Sequence, residues 1–276
     1  MSENPSPLVP LEGWHVLHLF YSIDHGQWNL LTDGEQREAK TRLTELVQEI
    51  RSHPDTQLLI FSIATPKADL GFMLLTPDLQ DATYFEKRLT LSLGIDVLAP
   101  TYSYLSQTER SEYTTSREVY GKDTLIGEEG MTEGSPEFEE KLDEFDERMK
   151  HYLKHRMYPV LPDWPAICFY PMSKRRSAHD DYNWYSLPFE KRAQLMKGHA
   201  TTGRKYSGKI LQLISGSTGL DEHEWGVTLL AHDTYQIKAI VYEMRFDEVS
   251  ARYGEFGDFY IGMQLPLDKL FKVVCL

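Results

Sequence analysis

A repeated element order constrains the fold of this chain more than any other feature. Residue patterns typical of strands and helices follow the order β-α-β-β-α-β twice along 276 residues. In the first half the expected strands cover residues 16–21, 57–64, 70–75 and 101–106, and the expected helices cover 33–51 and 79–93. In the second half the strands cover 166–170, 209–214, 224–230 and 256–263, and the helices cover 188–202 and 234–245.

This repetition predicts an α+β protein. A β-α-β-β-α-β unit folds as an antiparallel sheet with its helices on one face. Two ferredoxin-like units in one chain can pack their sheets together, so we expect a dimeric α+β barrel. Residues 1–110 would form the N-terminal unit and residues 157–276 the C-terminal unit.

The segment between the two units has a different character. Residues 111–156 begin as a polar, glycine-rich and acidic stretch that includes GKDTLIGEEGMTEG. A helical pattern then starts at Ser135 as the N-cap, with Pro136 in the first turn. We therefore expect an acidic loop followed by a connecting helix.

Charge and composition exclude several classes of function. The net charge of −13 argues against nucleic acid as the main partner. Residues 151–210 nevertheless carry eleven Lys and Arg against four Asp and Glu. A basic segment in an acidic protein favours either a pocket for an anionic ligand or a solvated helix face, and charge alone does not decide between them.

The two cysteines, Cys168 and Cys275, belong to no CxxC or CxxCH pattern, which argues against a disulfide framework, a cysteine zinc site and covalent haem attachment.

No apolar run reaches the roughly 18 residues that would cross a bilayer, so we expect no membrane insertion. The chain begins with a polar, proline-rich stretch rather than a signal peptide, and a cytoplasmic location is therefore expected.

One histidine stands out from the ten in the sequence. His199 lies on the second-half helix with Leu195 and Met196 on the same face, and Gly203 follows one turn later. From spacing alone, a core histidine is favoured over a metal ligand by about two to one. On the strand that precedes this helix, Tyr170, Met172 and Lys174 alternate onto one face, where all three can meet the same ligand.

Several motifs resemble the chlorite dismutase-like superfamily, and within it the coproheme decarboxylases. The resemblance is carried by YPMSKRR, NWYSLPFEKR and HATTGRKYSGK, which start at Tyr170, Asn183 and His199. It continues in ISGSTGLDEHEWGVTL and YEMRFDEVSARYGEFG, which start at Ile214 and Tyr242. The match covers most of the second half, whereas the first half is similar mainly in element order. The insert at about residues 113–135 departs from the family pattern.

The resemblance implies a role for each chemically reactive residue. His199 corresponds to the proximal ligand of a haem iron. Tyr170 corresponds to the tyrosine that becomes the oxidising radical beside the substrate propionates. Lys174 corresponds to the lysine that assists the second decarboxylation.

The resemblance also implies a set of residues that bind the substrate. Gln212 occupies the distal position, where oxygen-producing chlorite dismutases have an arginine, and glutamine provides no fixed positive charge there. Met172 matches a pocket residue near a vinyl-forming edge, although a plain core methionine is an equally good interpretation. The residues that correspond to propionate partners are Arg156, Arg245 and Ser250.

The activity implied is the decarboxylation of two propionates of iron coproporphyrin III (coproheme) by hydrogen peroxide. The product is haem b, at the final step of coproporphyrin-dependent haem biosynthesis, and coproheme is both substrate and redox cofactor. The family further implies a homopentamer and a transient contact with the coproporphyrin ferrochelatase. Two alternatives remain: a chlorite dismutase or haem peroxidase, which Gln212 disfavours, and a non-enzymatic haem-binding protein, in which Tyr170 and Lys174 would have no purpose.

Overall fold

The computed structural model describes residues 6–177 and 182–276. The first five residues of the expected cytoplasmic lead-in, and part of the connection between the strand at 166–170 and the next helix, lie outside that description. The strands are β1 His15–Ile23, β2 Gln57–Ile63, β3 Leu70–Thr76, β4 Leu98–Thr108, β5 Ala166–Lys174, β6 Ile210–Gly216, β7 Trp225–Ala231, β8 Gly254–Phe256 and β9 Tyr260–Gln264. The helices are α1 His25–Trp28, α2 Asp33–Ser52, α3 Leu79–Leu91, α4 Arg117–Val119, α5 Pro136–Met157, α6 Phe189–Arg204, α7 Thr234–Met244, α8 Glu248–Tyr253 and α9 Leu267–Val273.

The described strands form one antiparallel sheet that closes on itself. The first half contributes strands in the order β4-β1-β3-β2, and the second half contributes β9-β5-β7-β6 in the corresponding order. Short ladders join the halves at both edges, β4 to β6 and β2 to β9. The predicted α+β class is therefore confirmed, and hydrogen bonds at both edges join the two expected sheets into one.

Alternation along the strands divides the apolar residues into an interior and two outer layers. The sheet interior is filled from both halves, by residues such as Phe20 and Phe169. On the outside of the first half, α2 and α3 pack their apolar faces on the sheet. On the outside of the second half, a separate cluster includes Tyr170, Ile210 and Ile240. The candidate site lies in this second outer layer.

His18 is a histidine of the sheet interior. It lies in the sheet interior with no exposed surface, 2.8 Å from Thr228 Oγ1 through Nε2, and its ring stacks on Phe169. Burial lowers the pKa of His18 to about 3, so the imidazole is neutral at physiological pH.

The chain divides into two compact units, and the boundaries differ from the expected ones. Residues 1–108 and 161–276 form one unit, so the two expected halves share one body, and residues 109–160 form the other. The expected segment 111–156 lies inside the second unit. There Ser135 caps α5 as predicted, by accepting a hydrogen bond from the Phe138 amide.

The stretch expected to be an acidic loop contains a helix. Residues Tyr120–Glu128 form a π-helical segment. Its Leu125 is fully buried against Phe138 and Leu142 of α5, and Tyr120 stacks on Phe145. The segment is therefore packed on α5 through two apolar side chains, although its remaining residues are mostly polar.

Short elements account for the other departures from prediction. The structure adds α1, α4, α8 and α9, and a 3-10 turn at Trp184–Ser186. The expected strand at 256–263 is two strands, β8 and β9. Within the described part of the chain, no helix combines the length and the apolar character needed to cross a membrane.

Candidate active site

The last residues of β5 bring three of the predicted site residues onto one face of the sheet. Tyr170 and Met172 belong to the outer cluster of the second half, and Lys174 follows at the same alternation. Tyr170 is 9% exposed and Lys174 is 7% exposed. The shared face inferred from the spacing is therefore present, and it is withdrawn from bulk water.

Tyr170 lies in an aromatic environment. Its ring stacks on Phe259 at a centroid distance of 4.3 Å and lies 6.0 Å from Phe256. The Arg245 guanidinium stands 4.3 Å from the Phe256 ring centroid. Burial, assisted by Cys168, raises the pKa of Tyr170, and the Arg245 charge opposes that rise only in part. The phenol is therefore neutral and keeps its proton at physiological pH.

Lys174 is a buried amine with an aromatic neighbour. Its Nζ lies 5.1 Å from the Trp184 ring centroid. Burial lowers the pKa of Lys174 to about 8, while the negative charges of Asp247 and Glu224 oppose that shift. An amine with a pKa in this range can both hold and release a proton near neutral pH.

His199 is oriented by a carboxylate that sequence reasoning did not identify. Its Nδ1 lies 2.7 Å from Asp247 Oδ2, and the His199 side chain is 29% exposed. If Nδ1 donates this hydrogen bond, Nε2 carries the free lone pair, as a metal-bound histidine requires. Within the described residues, Nε2 makes no hydrogen bond of its own.

Asp247 is fixed by the start of α8. It is the N-cap of that helix, and its Oδ2 accepts hydrogen bonds from the Ser250 amide and hydroxyl at 3.3 and 3.4 Å. Burial alone would raise the pKa of Asp247, but the His199 and Ser250 hydrogen bonds lower it overall. Asp247 is therefore ionised beside the imidazole. An aspartate directly before a short helical pattern is an N-cap signal, and it could have been recognised in the sequence.

Gln212 lies on β6 and contacts the helix that carries His199. Its Nε2 donates to the Gly203 carbonyl oxygen at 3.2 Å. A Cβ added at Gly203 would lie 3.4 Å from both Gln212 and Met244. Gln212 is thus brought to the last turn of α6, four residues beyond His199. The predicted distal role for Gln212 stays a prediction.

The three residues expected to hold propionates are in different situations. Arg245 is exposed beside Phe256. Ser250 is buried and directs its hydroxyl to Asp247. Arg156 belongs to the unit of residues 109–160, where its Nε donates to the Glu109 carbonyl at 2.9 Å. Their roles toward a ligand stay predictions.

The donor set fits an iron porphyrin that carries carboxylates. A porphyrin supplies four nitrogen ligands, so the protein must add an axial ligand, and His199 with its carboxylate partner has that form. Lys174 and Arg245 provide cationic groups in the same layer of the unit, and Tyr170 provides an oxidisable phenol. Among residues 6–177 and 182–276, no three His, Cys, Asp or Glu side chains cluster as ligands for a bare metal ion.

Comparison with known proteins places this architecture in one family. A family model described as chlorite dismutase matches residues 36–265. A coproheme decarboxylase from Staphylococcus carnosus (strain TM300) is 41% identical over 263 residues, which cover 94% of this chain and 95% of that protein. The chain belongs to the chlorite dismutase family, as the sequence motifs indicated.

Solved structures agree with this assignment. The structure of a haem-binding protein from Thermus thermophilus is 38% identical, covers 99% of this chain and 100% of that chain, and superposes with a TM-score of 0.79. A chlorite dismutase from Candidatus Nitrospira defluvii in complex with imidazole is 17% identical, with 97% of each chain covered and a TM-score of 0.70. At 17% identity, the similarity to the chlorite dismutase structure is evidence for a shared fold and not for a shared function.

Proposed function

We propose that this protein is a coproheme decarboxylase that uses hydrogen peroxide to convert iron coproporphyrin III into haem b. The observation that carries the proposal is the pairing of Tyr170 and Lys174, both buried on the face of β5 that forms the outer layer of the second half. The similarity to the Staphylococcus carnosus coproheme decarboxylase supports it. For each propionic acid side chain, one peroxide accepts two electrons and two protons, and the products are one vinyl group, one carbon dioxide and two waters.

His199 holds the substrate iron through Nε2, and Asp247 fixes the imidazole through Nδ1. An ionised partner strengthens the imidazole as an electron donor and fixes the orientation of its ring. The bound iron supplies the two-electron chemistry with peroxide. His199 would hold that iron as a neutral imidazole.

Tyr170 is the residue that takes a hydrogen atom from the propionate side chain. Because burial keeps the phenol neutral, oxidation removes an electron and a proton together rather than an electron from a phenolate. The resulting tyrosyl radical takes one hydrogen atom from the propionate side chain and becomes a phenol again. The bond to the carboxylate then breaks, carbon dioxide leaves, the vinyl double bond forms, and the second electron goes to the peroxide-derived oxidising equivalent that remains. Stacking on Phe259 keeps the ring in place through this exchange.

Lys174 acts on the second propionate. In its ammonium form it attracts the propionate carboxylate, and in its amine form it accepts the proton of a propionic acid. A pKa of about 8 makes both forms accessible near neutral pH. A solvated lysine, with a pKa near 10.4, would be almost always charged.

The remaining assignments belong to the same proposal. Burying carboxylates requires charge-assisted donors, and Arg156, Arg245 and Ser250 are assigned that role, with Met172 beside a reacting side chain. Ser250 would share its hydroxyl between Asp247 and a carboxylate. Gln212 would act beside a bound oxidant only after its amide leaves the Gly203 carbonyl. The homopentamer, the ferrochelatase contact and the cytoplasmic location stay predictions.

The test is a peroxide titration of the purified protein with ferric coproheme under anaerobic conditions, followed by mass spectrometry of the porphyrin. We expect sequential loss of two carboxyl groups through a species with three propionates. In Tyr170→Phe, binding of coproheme should persist while turnover falls by roughly 100-fold or more.

Three results would contradict the proposal. Unchanged coproheme mass at several equivalents of peroxide would leave a haem-binding protein. Release of oxygen from chlorite without decarboxylation would indicate the chlorite dismutase activity. Near-normal turnover in Tyr170→Phe would remove the radical role of that residue.

A further inference from the structure

Glu224 is a buried carboxylate beside Lys174 with no role in the chemistry described above. It precedes β7 and is 5% exposed. Burying an ionised carboxylate is costly unless hydrogen bonds and counter-charges compensate. The partners of Glu224 therefore indicate what its burial achieves.

One Glu224 carboxylate oxygen serves as the hydrogen-bond acceptor at the end of β5, beyond the last residue pair of the β5–β7 ladder. The β5–β7 ladder ends at the pair Met172–Trp225, whereas β8 pairs with β5 as far as Lys174 on the other edge. Glu224 Oε2 accepts a hydrogen bond from the Lys174 amide at 2.7 Å. The side chain thus supplies the acceptor that a neighbouring strand would otherwise provide.

Glu224 is itself held from several directions. Its amide donates to the Met172 carbonyl at 3.1 Å, and its carbonyl accepts from the Ser217 amide at 2.7 Å. Its other carboxylate oxygen lies 3.7 Å from Arg176 Nε. The acceptor is therefore part of a fixed backbone arrangement rather than a mobile surface group.

The position of the Lys174 ammonium depends on this anchored backbone. Lys174 is the last residue of β5, and beyond it the described chain leaves the strand. Its Nζ stands against the ring of the buried Trp184. A shift of the strand end would move the ammonium away from this contact.

We propose that Glu224 is a positioning residue for Lys174, and that its hydrogen bond to the Lys174 amide holds the end of β5 where the second decarboxylation requires it. This inference rests on the proposed function, in which Lys174 acts at the second step. Glu224 touches neither substrate nor oxidant in this role. Glu224 instead determines where the Lys174 side chain starts and in which direction its ammonium group points.

Four variants separate the hydrogen bond from charge and from general stability. Glu224→Gln keeps an acceptor oxygen at the same reach, and Glu224→Asp keeps the charge but is one methylene too short. Glu224→Ala removes both, and Glu222→Ala changes an exposed glutamate in the same loop as a control. In peroxide titrations, we expect the Ala and Asp variants to raise the ratio of three-propionate product to haem b about tenfold. The Gln variant should retain most of the wild-type ratio, and Glu222→Ala all of it.

Amide hydrogen exchange in the ligand-free protein provides a readout that does not depend on activity. The Lys174 amide should be protected in the wild-type, Gln and Glu222→Ala proteins. In the Ala and Asp variants, it should exchange about tenfold faster or more. Exchange at the paired residues of the β5–β7 ladder should change little.

The outcomes are distinguishable from failure of the proposed function. If wild-type protein does not decarboxylate coproheme, the proposed function fails, while the exchange data still report on the hydrogen bond from the Lys174 amide to Glu224. If the wild type is active but Glu224→Ala and Glu224→Asp give its product ratio, or leave the Lys174 amide protected, the positioning role is wrong. An equal slowing of both steps would also overturn it, because a general structural defect would not single out the second step. Should Glu224→Ala fail to fold, the comparison of Asp with Gln decides alone.

Discussion

At the scale of single residues, Asp247 connects two parts of the candidate site. It accepts a hydrogen bond from His199, and its negative charge also acts on Lys174. The same carboxylate caps α8. One side chain therefore orients the expected iron ligand, influences the charge of the expected catalytic lysine and begins a helix.

Asp247→Asn separates these roles. Asparagine is as good an N-cap as aspartate, so α8 should persist, while His199 loses its ionised partner. We expect the affinity for ferric coproheme to fall by about 10- to 100-fold, measured by absorbance titration, with little change in thermal unfolding of the ligand-free protein. Asp233→Asn, at the equivalent cap of α7, is the matched control and should bind normally. Equal affinity in both variants would contradict the orienting role of Asp247.

Some residues of this site could be predicted from the sequence and others could not. Tyr170, Met172 and Lys174 could be placed on one face because strand alternation is independent of the rest of the fold. The family motifs singled out His199. The N-cap role of Asp247 has a local signal, but the contacts of Asp247, Glu224 and Trp184 with the site residues have none, because these partners lie between 10 and 50 residues apart along the chain.

At the scale of elements, α6 packs against α7 and α8 and is joined to β6 by the hydrogen bond from Gln212 to the Gly203 carbonyl. Gly203 lies in the last turn of α6, against Gln212 and Met244. A Cβ at Gly203 would already be in van der Waals contact with both side chains, so atoms beyond a Cβ would press on them. Gly198, on the same helix, has open space around it.

A larger residue at Gly203 should therefore lift α6 from the sheet. For Gly203→Leu, we expect a loss of about 1–3 kcal/mol in the free energy of unfolding, the usual cost of overpacking. Gly198→Leu is the control and should be neutral or slightly stabilising, because glycine weakens a helix interior. Chemical denaturation of the ligand-free proteins measures both. Equal stability of the two variants would show that the contact at Gly203 adapts without strain.

The long elements were predictable, and the short ones were not. Helices α2 and α3 carry a regular apolar periodicity, so their positions agree with the pattern. Elements such as α8 and β8 are six and three residues long, too short for a periodic signal. The helical segment at Tyr120–Glu128 depends on packing against α5 rather than on its own polar composition.

At the scale of the whole closed sheet, the two halves depend on each other through interior contacts. His18 of β1 reaches Thr228 of β7 across the interior, and Phe20 packs near Phe169. The sequence predicted two similar units. It did not predict which strand edges pair between the two units, because the ladders β4–β6 and β2–β9 are only two and three residue pairs long.

The interior histidine makes folding sensitive to acid. The pKa of His18 is lowered from 6.5 to about 3, so between these values the unfolded chain binds a proton that the folded protein does not. Stability is therefore complete above pH 6.5 and declines as the pH falls, by up to about 1.4 kcal/mol per pH unit from this group. His18→Gln should flatten the acid decline of the unfolding free energy, measured by urea denaturation from pH 6.5 down to about pH 4.5. The exposed His25→Gln serves as control, and an unchanged slope in His18→Gln would contradict this account.

The two nine-residue strands β1 and β5 occupy corresponding places in their halves. At the fifth, seventh and ninth positions, β5 has Tyr170, Met172 and Lys174. At the same positions β1 has Leu19, Tyr21 and Ile23, all buried in the cluster beneath α2 and α3. In the first half these positions are filled by packing side chains. In the second half the same positions carry the residues of the candidate ligand site. The first half stabilises the shared sheet through its packed core. The second half can therefore carry reactive residues where the first half carries packing residues.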